Sequence, residues 1–149
     1  RMDINKLMNE NLINLNLKGE TKLDVINELV ELLDKEGRLL DKEAYFQDVL
    51  KREEIGSTGV EMGVAIPHGK SAGVKEPSLA FGRINGGVDF NSMDGVKSDL
   101  VFLIAVPENS DDTNIRILTS FARKLMHKEF RDGLRNAVNP AEIIELLNN

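Results

Sequence analysis

The first readable stretch alternates apolar and polar side chains: Ile13, Leu15 and Leu17 are separated by asparagines and followed by Lys18, the two-residue period of a strand that buries one face. Gly19 closes it. Thr21 with Asp24 three positions on predicts a helix start, and Val25, Ile26, Leu29, Leu32 and Leu33 recur at helical spacing until Gly37 stops the helix. Asp41 predicts a second helix, running through Leu50, with Ala44, Tyr45, Phe46, Val49 and Leu50 on its packed side. Glycines 56, 59 and 63 then impose an irregular passage before a short apolar run ending at Pro67-His68. Leu79 through Ile84 and Leu100 through Val106 read as strands, the second so uniformly apolar that it is expected at the centre of a sheet. Asp94-Gly95 predicts a turn between weaker strands.

Beyond these strands, Thr113 or Asn114 opens a helix on which Ile117, Leu118, Phe121, Ala122, Leu125 and Met126 share a face, and Lys128 to Ala137 form a second short helical piece. Asn139 caps a terminal helix with Pro140 at its first position, docked through Ile143, Ile144, Leu146 and Leu147. Helices interspersed among strands predict an α/β fold, a mixed central β-sheet flanked by helices.

The length of 149 residues predicts one domain over 1–149, burying about 70% of its unfolded surface. Zero cysteines exclude disulfides, thiolate-held clusters and cysteine nucleophiles, and two histidines leave little for zinc, so neither metal nor cofactor is expected. A net charge of -6 argues against nucleic acid, whose binding needs a cationic surface, yet allows a local anion site. No apolar run approaches the roughly 18 residues of a membrane span, and no leader pattern opens the chain, so a cytoplasmic protein without direct membrane contact is expected. Arg1 ahead of Met2 reads as an expression remnant.

His68 is the candidate for chemistry. Near neutral pH an imidazole offers an unprotonated nitrogen while its other nitrogen is fixed by a backbone acceptor, which suits a nucleophile; the alternative is a strand-capping histidine with satisfied hydrogen bonds. Arg52 can donate two aligned hydrogen bonds to phosphate oxygens, or be a solvated charge at a helix end. Ser57 and Thr58 can supply hydroxyls and the neighbouring glycines open backbone N–H groups, or the segment is only a turn. The glycine-lysine-hydroxyl spacing of an ATP loop is absent. Asn114 can be a helix cap, His127 reads as a helical surface residue, a His68/His127 metal pair is a poor fit, and Asp94 and Asp99 read as a turn and a strand boundary.

The segment Arg52-Glu53-Glu54-Ile55-Gly56-Ser57-Thr58-Gly59 through Pro67-His68-Gly69 resembles the active-site region of the fructose/mannitol-type (type 2) enzyme IIA domain of the bacterial sugar phosphotransferase system, most of all the fructose-specific member. The resemblance runs from Ile4 to Leu147. It implies the family's sandwich fold, transient phosphorylation of His68 by the phosphocarrier protein HPr, and transfer to a cysteine of a fructose-type enzyme IIB coupled to membrane enzyme IIC. It also implies that Arg52 belongs to the active-site surroundings, that Ser57 and Thr58 stabilise the phosphoryl group, and that the module can open a longer transporter polypeptide tethered at the inner face of the membrane. The family's second histidine is replaced here by Asn114, which can donate an amide hydrogen bond but cannot become cationic. Nitrogen-related and transcription-regulator enzyme IIA-like modules share the resemblance, so a regulatory role is the alternative. Val64, Ile66, Ile115 and Leu118 are candidates for an apolar docking rim or for ordinary core.

Overall fold

The computed structural model describes residues 3–149, with the side chains of residues 113, 114, 115 and 118 outside the description. The chain order is α1 (Ile4–Leu7), β1 (Ile13–Asn14), α2 (Lys22–Lys35), α3 (Lys42–Ile55), β2 (Val64–Ala65), β3 (His68–Ser71), β4 (Ser78–Val88), β5 (Ser98–Pro107), α4 (Thr113–Leu125), α5 (Lys128–Asn136) and α6 (Pro140–Asn148). Among the described residues the strands form one sheet in the order β1-β4-β5-β2, with β3 also on β5. The sheet is mixed: β4 and β5 are antiparallel, while β1 runs parallel to β4 and both β2 and β3 run parallel to β5.

Adjacent residues of a strand point to opposite faces, and β4 shows what each face meets. Phe81 packs at a tilt against Phe102 of β5 at 4.7 Å between ring centroids, and Phe102 stacks on Phe121 of α4 at 5.2 Å. Gly82 lies under α2 so closely that a Cβ there would stand 2.2 Å from Leu17 Cδ1 and 3.0 Å from Leu29 Cδ2. Helices therefore cover both faces, and β5, buried from Leu100 to Val106, is central as its apolar run predicts.

Local signals set most boundaries. Thr21 and Asp24 form a reciprocal capping box at the start of α2. Gly37, at φ +74°, ends that helix in a Schellman arrangement, its N–H on the Asp34 carbonyl and that of Arg38 on the Leu33 carbonyl. Asp41 and Asn139 cap α3 and α6 through their side chains.

Three expectations change. The first strand stops at Asn14 because the Asn14 side chain accepts the Asn16 N–H at 2.8 Å, folding the backbone into an Asx turn before Leu17 returns to the Arg83 carbonyl. Helix α3 continues past Leu50 to Ile55, since only Gly56 supplies a stop. The weaker strands around Asp94-Gly95 are absent: residues 89–97 form a loop joining β4 to β5, held by Asp89 on the Asn91 N–H and Asp94 on the Val96 N–H. Val64 and Ile66 are buried and pack in the core.

Candidate functional site

His68 opens β3, opposite Ile104 of β5, and is half-buried. Its Nδ1 lies 3.0 Å from the Ile66 carbonyl oxygen. A carbonyl only accepts, so Nδ1 carries the proton and the Nε2 lone pair is left for chemistry. Pro67 contributes no N–H, but its carbonyl accepts the Ile104 N–H at 3.0 Å and fixes the strand entry.

Ahead of His68 the chain makes a narrow hairpin. Val60 donates to the Val64 carbonyl at 2.8 Å and Ile66 to the Thr58 carbonyl at 2.9 Å. Met62 and Gly63 turn it at φ 65° and 79°, and the turn is held from both sides. Asp94 accepts the Met62 N–H at 3.0 Å, while Arg135 of α5 donates to the Met62 carbonyl at 2.6 Å and pairs with Asp99 at 2.8 Å. The Asp99 carboxylate holds the Arg135 guanidinium in its charged form, its pKa raised further. Asp99 is thus an ion-pair partner rather than a mere strand boundary.

Helix α3 brings Arg52 to the same region. Gly69 lets the helix approach β3, for a Cβ there would lie 3.0 Å from Val49 Cγ2 and 3.2 Å from Tyr45 Cε1. Arg52 follows Val49 by one turn, in the last turn of α3, and its guanidinium donates to the Gly56 carbonyl at 2.7 Å. That bond ties it to the glycine-serine-threonine loop.

The loop hydroxyls are already engaged. The Ser57 hydroxyl donates to the Phe90 carbonyl and accepts the Gly59 N–H at 2.9 Å. Thr58 is buried, and both its hydroxyl and its N–H point to the Glu53 carboxylate. As donors to a phosphoryl group they would have to leave these acceptors; in this structure they brace the loop. Asn114 sits in the first turn of α4, one residue inside Thr113 and two past the cap position of Asp112; its side chain lies outside the described residues, as do those of Ile115 and Leu118. His127 stands at the α4–α5 junction, where its carbonyl accepts from Phe130 and Arg131 at the start of α5.

Glu53 is the residue that sequence reading passes over. It hides in the charged run Lys51-Arg52-Glu53-Glu54, which reads as a solvated face. Spacing offered the signal: Tyr45, Val49 and Glu53 are four apart and share one helix face, and the first two are fully buried. Glu53 is correspondingly only 6% exposed along its side chain and pairs with Lys22 at 3.1 Å.

The family model described as phosphoenolpyruvate-dependent sugar phosphotransferase system, EIIA 2, matches residues 6–149. The fructose-specific EIIABC component of Bacillus subtilis is 42% identical over 147 residues, 99% of this chain; the chain spans 23% of that protein's length. Among solved structures, nitrogen regulatory protein IIA-Ntr of Neisseria meningitidis superposes with a TM-score of 0.85 at 31% identity, covering 97% of this chain and 98% of that one. Enzyme IIA of mannitol from Escherichia coli, solved in complex with phosphorylated enzyme IIB, superposes with a TM-score of 0.82 at 27% identity over 95% and 96% of the two chains. Fold and relatives define a phosphotransferase component. The chain belongs to the EIIA type 2 family of the phosphoenolpyruvate-dependent sugar phosphotransferase system.

Proposed function

We propose that this chain is one type 2 enzyme IIA domain whose His68 carries a phosphoryl group from HPr to a cysteine of a fructose-type enzyme IIB. The observation that supports this best is the bond from His68 Nδ1 to the Ile66 carbonyl, which leaves Nε2 as the nucleophile. The Nε2 lone pair attacks phosphorus in line, the P–N bond of the donor phosphohistidine breaks, and the donor imidazole keeps the electron pair. In the second transfer an enzyme IIB thiolate attacks phosphorus and Nε2 leaves with its pair. While phosphorylated, the ring gains positive character at Nδ1–H, against which the Ile66 carbonyl dipole is already aligned.

Arg52 has a role that follows from its fork of donors: on arrival of the phosphoryl group it exchanges the Gly56 carbonyl for phosphoryl oxygens. Ser57 and Thr58 act through the loop they shape, and Asn114 stands where the family carries a histidine. A fusion like that named for the Bacillus subtilis relative supports placing the domain on the cytoplasmic side of an enzyme IIC transporter. Among the described residues no helix is long and apolar enough to cross a membrane.

Incubation with the general phosphotransferase enzyme, HPr and phosphoenolpyruvate should place one acid-labile phosphate on His68, and an enzyme IIB domain should remove it. Absence of labelling where a control enzyme IIA is labelled would reject the reading. The likeness to IIA-Ntr favours a second role, in which phosphorylation governs binding of a regulated protein; a labelled domain that no enzyme IIB discharges would support it.

A further inference from the structure

A single run of hydrogen bonds connects the α2 N-terminus to the His68 ring. Lys22 Nζ donates to Glu53 Oε2 at 3.1 Å and to Asn91 Oδ1 at 3.2 Å. Glu53 accepts the Thr58 hydroxyl and, at 3.3 Å, the Thr58 N–H. The Thr58 carbonyl accepts the Ile66 N–H at 2.9 Å, and the Ile66 carbonyl accepts from His68 Nδ1 at 3.0 Å. Thr58 and Ile66 are each held through both of their backbone groups, N–H on one side and C=O on the other, so the residue whose carbonyl sets the His68 tautomer is bonded to a residue anchored by a carboxylate on α3.

We infer that Glu53 is a positioning residue for His68: by anchoring Thr58 it fixes the Ile66 carbonyl, and through it the Nδ1–H tautomer and ring orientation that expose Nε2. The inference rests on the reading of His68 as phosphoryl acceptor. Three observations set Glu53 apart from a structural ion pair. Its side chain is only 6% exposed, both of its oxygens are engaged, and the group it anchors is two hydrogen bonds from the imidazole. A carboxylate so enclosed is tolerated because Lys22 and the Thr58 donors compensate it. Lys22, 5.8 Å from the Phe90 ring centroid, also leans on the residue whose carbonyl holds Ser57. The same carboxylate system therefore steadies both hydroxyl residues of the loop.

The chain has only two histidines, so nitrogen NMR of the imidazoles reads His68 beside one other ring, assigned by His127→Gln. In the unsubstituted protein neutral His68 should be protonated at Nδ1. Glu53→Ala should convert it to a mixture of tautomers and slow phosphoryl uptake by about tenfold to a hundredfold, the scale on which misplacement of a reacting atom acts. Glu53→Gln, which keeps an oxygen for Thr58, should restore most of both. Thr58→Val, with the loop volume retained, should shift the tautomer in the same direction and serves if Glu53→Ala does not fold. A folded Glu53→Ala or Thr58→Val protein with unchanged Nδ1–H would overturn the inference, even if uptake slowed. Because the tautomer is read without phosphate, an unlabelled parent protein would sink the His68 reading and leave this measurement separate.

Discussion

At His68 a two-residue loop of hydrogen bonding, from the ring back to Ile66, leaves Nε2 as the nitrogen of the proposed chemistry. Replacement by alanine should abolish acid-labile labelling while leaving the urea midpoint nearly unmoved, because a half-buried ring with one bond contributes little to stability. Retained labelling in His68→Ala, located by mass spectrometry, would contradict the assignment. His127→Ala should leave uptake within about twofold, since its peptide and not its imidazole serves the α5 start. Asn114→His bears on the family's second histidine: a faster single-turnover uptake is expected if an amide limits transfer where an imidazole is usual. Asp94 gives a residue-scale test of the hairpin. Backbone N–H groups of Met62 and Val96 hold its carboxylate below the ordinary range, so its contribution is present above about pH 4 and fades as pH falls through the lowered value. Asp94→Asn should therefore flatten the acid limb of stability, read from urea midpoints between about pH 5 and pH 2.5.

Between α3 and β3 the spacing is set by one missing side chain. Gly69→Ala would place a methyl 3.0 Å from Val49 Cγ2 and 3.3 Å from the Val49 backbone nitrogen, and backbone cannot yield as a side-chain tip can. The expected cost is about 1–3 kcal/mol of stability, with a fall in uptake beyond it because the helix that carries Arg52 is lifted from the strand that carries His68. Parallel urea unfolding and uptake measurements check both. The same helix shows how far sequence can be read. Its start was legible in Asp41, a local cap, whereas its last turn lies in the charged run 51–54, where the inward place of Glu53 is signalled only by its spacing from Tyr45 and Val49. Helix α2 was legible at both ends because Thr21, Asp24 and Gly37 act within a few residues. His68 stood out for a like reason, its proline and glycine neighbours being adjacent. Glu53 and the Asp99–Arg135 pair did not, for Lys22 reaches Glu53 from 31 residues away and Arg135 reaches Asp99 from 36.

Across the whole molecule one aromatic reports on the centre. Tyr45 is the only tyrosine and tryptophan is absent; its hydroxyl donates to the Ile104 carbonyl at 2.8 Å, directly opposite His68 in the sheet. Burial pushes its phenol well above the ordinary value of 10.0. The folded chain therefore keeps a proton that the unfolded chain releases, so stability is full below about pH 10 and declines as pH rises above it. Ultraviolet titration should show phenolate absorbance only together with loss of helical circular dichroism; ionisation in the folded protein would contradict the buried placement. Arg83 binds the Leu134, Arg135 and Ala137 carbonyls at 2.9 to 3.0 Å, joining β4 to the helix whose Arg135 clamps the hairpin. The parallel pairing of β3 with β5 has a further consequence, in time. His68 is synthesised 36 residues before Ile104, the residue it stands beside, so at about 5–20 residues per second its strand waits about 2–7 seconds on the ribosome for a partner. A strand of four residues, entered through proline and carrying an exposed lysine, is poorly suited to recruit another nascent chain during that interval.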